Sequence, residues 1–424
     1  MALIDKQLKT YILRVCAAGL AATLAACGGG SGSGSTSANG SQPLTGLKKR
    51  VLLSNQAAGT VIFVDAQKDQ INTKGFNIAG ASKLLAASGI TVVMQQAPAG
   101  TGPTIQTINN VTEAPTVSLD LRDQAFDVTI STDGKTAYAA MRNVGEVAVF
   151  NTTTGGLQII TGLPVVTRLV EGPNEHKILA FSDNPNTLAA PNTGGFFVID
   201  TGTNTAKVVV GLPLNQPFSA VFDPADASDN SAFILNCGTE CGGTLPPSVV
   251  RVNFSNPAAP TFGPTIPVSG ATVGLLNGTN LFVAGTPPAS ATGTLQTINT
   301  STLAVSAPTV ITNGHHTKMV LASNNRLYIG ANACTAIADP LTNLTQGCLS
   351  IVNTTSGAVV MPKVSSFRQN FDVTGILPIT GRTVVYVCYG GELDIFDTST
   401  DTAITTNPPI DIVGKAFDVV LIDP

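Results

Sequence analysis

A short strand that ends in an Asp or Asn corner recurs along this chain, and internal repetition of that kind constrains a fold more than any local propensity. It reads Val61-Ile62-Phe63-Val64-Asp65, Val147-Ala148-Val149-Phe150-Asn151, Phe196-Phe197-Val198-Ile199-Asp200, Leu295-Gln296-Thr297-Ile298-Asn299, Leu349-Ser350-Ile351-Val352-Asn353 and Leu393-Asp394-Ile395-Phe396-Asp397. The corner carboxylate or amide can accept the turn's backbone N–H groups, so these side chains are read as turn formers and not as acids. The clearest full unit is Ala125 to Leu163. Ala125–Ile130 alternates as a strand, and Ser131 to Lys135 makes a tight turn with Gly134 at the site that needs positive φ. Thr136–Met141, Glu146–Phe150 and Leu157–Ile160 follow as three more strands. Four short strands joined by turns form one blade of a β-propeller.

The expected fold is therefore all-β, a propeller of about eight four-stranded blades. Blades two to eight run near Ser82–Leu121, Ala125–Leu163, Val166–Leu212, Pro217–Ser269, Ala271–Asn313, His316–Phe367 and Phe371–Gly414. Seven blades result if the irregular second unit, with its Pro98 to Pro103 insertion, is not a blade. Blade one is split: Arg50 to Ile78 supplies three strands, and the C-terminal Ala416 to Asp423, which copies Ala125-Phe126-Asp127-Val128, supplies the innermost. That pairing closes the ring without a free edge. Asp133-Gly134-Lys135-Thr136-Ala137-Tyr138 and Arg326-Leu327-Tyr328-Ile329 resemble the YVTN/NHL-type β-propeller repeat. The resemblance implies the fold and leaves function open, because such propellers serve as enzymes, binders and scaffolds. Trp is absent, against a Trp-Asp repeat propeller or one that stacks a quinone cofactor on Trp.

The N-terminal segment reads as a targeting signal. Lys6, Lys9 and Arg14 precede a short apolar run, Val15 to Ala26, which ends in Leu24-Ala25-Ala26-Cys27. The expected organisation is a lipoprotein signal peptide over 1–26, a flexible Gly/Ser-rich tether over 27–46 with lipidated Cys27, and the propeller over 47–424. Gly28 differs from the Asp that marks inner-membrane retention, so the outer membrane is expected by analogy. The membrane contact would be the lipid alone, since no second apolar run has membrane length. A net charge of −4 gives no electrostatic footprint for nucleic acid.

Export makes disulfides the default for the remaining cysteines. Cys237 and Cys241 share one long loop, Cys334 and Cys348 bracket another, and both pairs are expected to bond. A four-cysteine zinc site is the rival, with poor ligand spacing. Cys388, in Val384 to Tyr389, reads as an inert core thiol. The long segments Gln95–Pro103, Asp183–Gly195, Cys237–Pro247, Gly285–Gly293 and Ala331–Gly347 all join second to third strands. They therefore decorate one face, where binding is usually carried. The tether meets the body at Lys48-Lys49-Arg50 on the opposite face, so that face is expected to lie toward the membrane.

Aligned on Phe126-Asp127-Val128, the innermost strands carry Asp418, Lys83, Asp127, Arg168, Ser219, Val273, Lys318 and Asp372 around the ring. These charges read either as ion pairs between blades or as a funnel that focuses a polar ligand on the axis. His315-His316 point to opposite sides of a strand, which disfavours shared metal binding. Asp223, Asp226 and Asp229 lack the order of a known calcium loop. No catalytic triad, phosphate loop or spaced acid pair appears. The expectation is a non-catalytic envelope module, without cofactor or metal, that binds an envelope protein, peptide or glycan with its looped face. The alternative is a lactonase-like hydrolytic propeller with an axial site. It is disfavoured because only His176, His315 and His316 exist.

Overall fold

In the computed structural model, the described residues are 44–96, 104–183, 194–335, 346–362, 372–389, 391–404, 410, 412 and 414–423. They form eight four-stranded antiparallel sheets. The second unit is a blade like the others, so the ring has eight blades and not seven. The innermost strands of blades two to eight are Ala81–Ala87, Ala125–Ile130, Val166–Glu171, Pro217–Phe222, Val273–Asn277, His315–Ala322 and Val373–Pro378. That of blade one is Ala416–Leu421. Each packs against the next around the axis, and Ala416–Leu421 packs against both Val373–Pro378 and Ala81–Ala87. Closure comes from the tail, which pairs Val51 with Leu421, Leu53 with Val419 and Ser54 with Asp418.

The turns form for the local reasons legible in the repeat. Asp133 Oδ1 accepts the Lys135 N–H at 2.9 Å and the Ser131 hydroxyl at 2.7 Å. Gly134 has φ +71°, and a Cβ there would stand 2.6 Å from the Ala87 carbonyl of the neighbouring blade. At the third-strand corner, Asn151 Oδ1 accepts the N–H groups of Thr153 and Thr154 at 3.0 and 2.8 Å. Asn299 and Asn353 repeat this cap.

The core lies between blades. Tyr138, Val147 and Leu163 of blade three pack with Leu169, Ile178 and Phe197 of blade four, and equivalent clusters follow around the ring. This is what two-sided burial of a sheet looks like, with sheets face to face and side chains interdigitated. In seven blades the innermost strand also carries a register shift near its start, where it leaves the looped face. Such a bulge adds an unpaired residue and re-aims side chains.

Candidate binding site at the axial mouth

The bulge determines what reaches the axis. In blade three, Ala125 opposes Met141 and Asp127 opposes Ala140, so Phe126 is the extra residue. Phe417 is the extra residue between Ala416 and Asp418 of blade one, and Phe218 that of blade five. In register with Asp127 stand Asp418, Lys83, Arg168, Ser219 and Lys318. Blade eight departs from the sequence alignment. Val373 opposes Tyr389 and Gly375 opposes Cys388, so Gly375, not Asp372, holds the axial position. Asp372 lies just before the strand, and its Oδ1 accepts the Ala333 N–H at 3.1 Å. The bare Gly375 has a steric reason: a Cβ there would come within 2.8 Å of Asp418 Oδ1.

The axial charges do not make one continuous ring of ion pairs. Lys83 Nζ pairs with Asp127 Oδ1 at 2.5 Å and donates to the Val128 carbonyl at 2.9 Å. Asp127 Oδ2 accepts the N–H of Leu169 at 2.8 Å, and Asp418 Oδ2 accepts that of Leu84 at 2.9 Å. Each aspartate thus joins its own inner strand to the backbone of the next blade, a role the spacing of charges did not reveal. Burial raises the Asp418 carboxyl above the usual carboxylate range, and Lys318 opposes that shift. Arg168 has no carboxylate partner within ion-pair reach among the described residues. Its Nη1 donates to the Phe218 carbonyl at 2.7 Å, and its guanidinium lies 3.6 Å from the centre of the Phe218 ring. Desolvation lowers its pKa, against the pull of Asp127 and Asp183.

A cavity of about 290 Å³ opens among these groups on the looped face. Its walls include Lys83, Lys318, Asp418, Phe126, Phe417 and Asn332. Phe126 is 38% exposed, with the Arg142 guanidinium 5.7 Å from its ring centre, while Lys415 sits 5.4 Å from that of Phe417. Two wall atoms are buried without a hydrogen-bond partner, Asn332 Oδ1 and Thr374 Oγ1. The Lys318 side chain makes no hydrogen bond or ion pair with any described residue, and acts on Asp418 only through space. Buried polar atoms are rarely left so, and an orphan in a cavity marks a place where something else completes the bonding.

The remaining sequence candidates fall elsewhere. Cys237–Cys241 and Cys334–Cys348 are disulfides, with Cα separations of 5.6 and 6.1 Å, and Cys388 is a buried free thiol. Burial pushes that thiol well up. Two disulfides fit a protein that folds in an oxidising compartment. His315 packs edge-on against Phe218 with centroids 4.9 Å apart, and burial, aided by Arg168, lowers its pKa. His316 Nε2 lies 3.0 Å from the Thr312 carbonyl, and burial takes its pKa down to about 4. Among the described residues, no group of three or more His, Cys, Asp or Glu side chains could hold a metal ion. Asp229 instead receives the N–H groups of Asn174 and His176 from the neighbouring blade. Cys27 and the whole of 1–43 lie outside the described residues, as do most of the loops at 95–103, 183–195 and 331–347.

Sequence patterns did not reveal the partners of Glu240. It stands in the short 3-10 turn Gly238–Cys241 and reaches into blade six, where its carboxylate accepts the N–H groups of Thr286 at 2.8 Å and Ala271 at 3.3 Å. Burial pushes its carboxyl up to about 7 against those two donors.

No family model matches the chain, and no curated protein matches it in sequence. Solved structures do match in fold. Dihydro-heme d1 dehydrogenase NirN in complex with DHE aligns with a TM-score of 0.63 at 10% identity, covering 88% of this chain and 75% of that one. Apo AztD from Citrobacter koseri aligns at 0.57 and 12% identity, covering 88% and 97%. BamB from Moraxella catarrhalis aligns at 0.51 and 14% identity, covering 79% and 89%. At such identities the likeness is one of fold, and function has to be argued from the site.

Proposed function

We propose that this chain is an envelope lipoprotein of the YVTN/NHL-type propeller kind, held to the outer membrane by lipid on Cys27. It acts as a non-catalytic binding module whose looped face, centred on the axial mouth, takes the partner. The observation that carries this reading is the mouth itself. It places unsatisfied polar atoms and exposed phenylalanine on the face that bears the disulfides and the long loops. Binding is favoured over hydrolysis because neither histidine of the looped side lines the axial cavity. His315 is a packing group against Phe218, and His316 is held neutral beside Thr312.

The test uses the anchored, full-length protein in cells. A photo-reactive p-benzoylphenylalanine is placed at Leu245, which is 45% exposed on the looped face, or at Val111, which is 71% exposed in a turn of the opposite face. Both sites already carry an exposed apolar side chain, so folding should tolerate the change. Adducts from Leu245 and none from Val111 support the reading. Adducts only from Val111, or from neither, overturn it. In parallel, Cys27→Ser should move the protein out of the membrane fraction, and a variant that stays there removes the anchor from the proposal.

A further inference from the structure

We propose that the axial mouth binds an acidic sugar residue, a uronate within a glycan, with Lys318 taking its carboxylate. In this arrangement Asn332 and Thr374 take the ring hydroxyls, and Phe126 and Phe417 flank the ring. The inference rests on the reading of the looped face as a binding surface and names the ligand class for it.

The charge of the site selects a monoanion. At the axial register positions stand three cations, Lys83, Arg168 and Lys318, against two carboxylates, Asp127 and Asp418. Lys83 is spent on Asp127, and Arg168 is turned onto Phe218 and its carbonyl. That leaves Lys318 and Asp418. The Asp418 carboxylate is buried and bonded to the Leu84 N–H, so the ammonium of Lys318, whose side chain has no hydrogen-bond partner among the described residues, is the charge the mouth offers. A single ammonium near the Asp418 carboxylate suits one carboxylate group. A phosphate dianion would call for several donors that the wall does not offer.

The neutral groups select hydroxyls and an apolar ring face. Asn332 Oδ1 is an acceptor in want of a donor, and Thr374 Oγ1 can donate or accept. A pyranose presents hydroxyl donors around its edge and C–H groups on its faces, and the C–H faces suit exposed phenylalanine. A peptide chain fits less well, because it seeks backbone partners. Here Asp418 and Asp127 already cap the inner-strand N–H groups of Leu84 and Leu169. The cavity, at about 290 Å³, is at the small end of ligand sites, which suits one sugar residue inserted at the axis.

The experiment is calorimetric titration of the mature protein with three probes: a galacturonic acid trisaccharide, the neutral galactose trisaccharide and a tripeptide with a free C-terminal carboxylate. The acidic trisaccharide should bind at least tenfold more tightly than either of the others, and its affinity should fall with salt. Lys318→Met should cost tenfold or more on the acidic sugar and abolish the discrimination. Thr374→Val should weaken both sugars alike. Lys318 is the countercharge that opposes the shift of the buried Asp418, so Lys318→Met should melt somewhat lower than the wild type. Titration below that melt, with binding of the neutral trisaccharide retained, keeps loss of the acidic-sugar preference distinct from loss of fold. Equal binding of acidic and neutral sugars, indifference to Lys318→Met, preference for the tripeptide, or no binding of the acidic sugar at millimolar concentration each overturn the inference. Adducts at Leu245 alongside any of these results leave the looped-face reading standing, since photo-crosslinking requires no sugar.

Discussion

The two faces of the propeller are held together differently. On the face of short turns, neighbouring blades are joined by charged and polar bridges. Arg50 of blade one reaches Glu113 of blade two at 2.9 Å and also binds Asp423 of the tail at 2.6 Å. Arg382 of blade eight binds Asp69 of blade one, Arg326 of blade seven binds Asp401 of blade eight, and Asn174 of blade four binds Asp229 of blade five. The looped face has fewer such bridges. Among its described fastenings are the two disulfides, each within one blade, the Arg142–Asp183 and Lys83–Asp127 ion pairs, the hydrogen bonds of Asp127, Asp418 and Asp372 to the next or preceding blade, and the Glu240 carboxylate between blades five and six. Polar atoms at the axial mouth stay unsatisfied. A propeller built this way has a stitched base and a top that keeps bonding capacity for a ligand.

Removing the closure should erase the contrast altogether and is the largest effect expected. Deleting Ala416 to Pro424 strips blade one of its inner strand and removes Asp423 from Arg50. It also exposes the edge of Arg50–Asn55. The protein should aggregate or lose its cooperative melt. A truncated chain that remains monomeric with a wild-type melting temperature would mean that the ring does not depend on this strand.

The base is tested next by Glu113→Gln. The carboxylate of Glu113 is buried and accepts hydrogen bonds from Thr45 N at 2.7 Å and Lys74 Nζ at 2.9 Å, besides its pair with Arg50. Burial alone would raise its pKa, but the bonds from Thr45, Lys74 and Arg50 overrule burial and hold the carboxyl down at about 2. Removing the carboxylate from a buried charge network costs about 3–5 kcal/mol, because the cations desolvated around it lose a charge that offsets their burial, even though Arg50 keeps Asp423. The sign with pH follows from the depressed value. The stabilisation is complete above the ordinary carboxyl range near 4.5 and drains away as pH falls toward about 2. Denaturant titrations from pH 5 to 2 should show that loss in the wild type and a shallower slope in Glu113→Gln. Parallel slopes would remove Glu113 from the network.

The unequal legibility of the two faces has a physical cause. Blades, turns and the closing strand were readable because each is set by residues close in sequence: alternation along a strand, Gly134 at positive φ, an Asn or Asp that caps its own corner. The tail was readable because Phe417-Asp418-Val419 repeats Phe126-Asp127-Val128. The same likeness misled at Phe371-Asp372-Val373. There the register is fixed by Cys388 opposite Gly375, so the axial position falls three residues later. The bridges of the base were not legible, since Arg382 and Asp69 belong to opposite ends of the chain and no local pattern links them. The orphans Asn332 and Thr374 were hidden because they lie far apart in sequence on successive blades, and only the packing of blade seven on blade eight brings them to one cavity.

On the looped side, the covalent staples should matter less than Glu113 and in proportion to the loops they close. Cys334 and Cys348 are 14 residues apart, and chain entropy assigns such a loop about 3 kcal/mol. Cys237 and Cys241 are 4 apart, for about 2 kcal/mol on the same scale. Replacing each pair by Ala, and measuring both by urea unfolding, should rank them in that order. Gly314 sharpens the first case: with φ +100°, a Cβ there would lie 2.7 Å from Cys334 Sγ, so the staple is packed against backbone that leaves no spare room. The reverse order would mean that the Cys237–Cys241 turn supports more of the looped face than its own short loop.

The smallest effect belongs to Glu240, and its sign is opposite to that of Glu113. Two N–H donors favour the charged form of Glu240, but burial wins and lifts its carboxyl to about 7. A carboxyl whose folded pKa is raised holds its proton more tightly in the folded state. Stability therefore falls as pH climbs from the ordinary carboxyl range through about 7, and is flat beyond it. Since the group is only partly buried, the whole change should be about 1 kcal/mol after screening by solvent. Glu240→Gln is neutral at every pH, so its unfolding free energy should lack this slope and part from that of the wild type as pH rises. Below about pH 5 the protonated glutamic acid and the glutamine should be nearly equivalent. Near pH 8 the glutamine should be the more stable, unless the two N–H groups of Thr286 and Ala271 hold the carboxylate more strongly than burial opposes it. In that event the wild type gains on the variant as pH rises, and the looped face is clamped by an ionised Glu240 in the manner of the base.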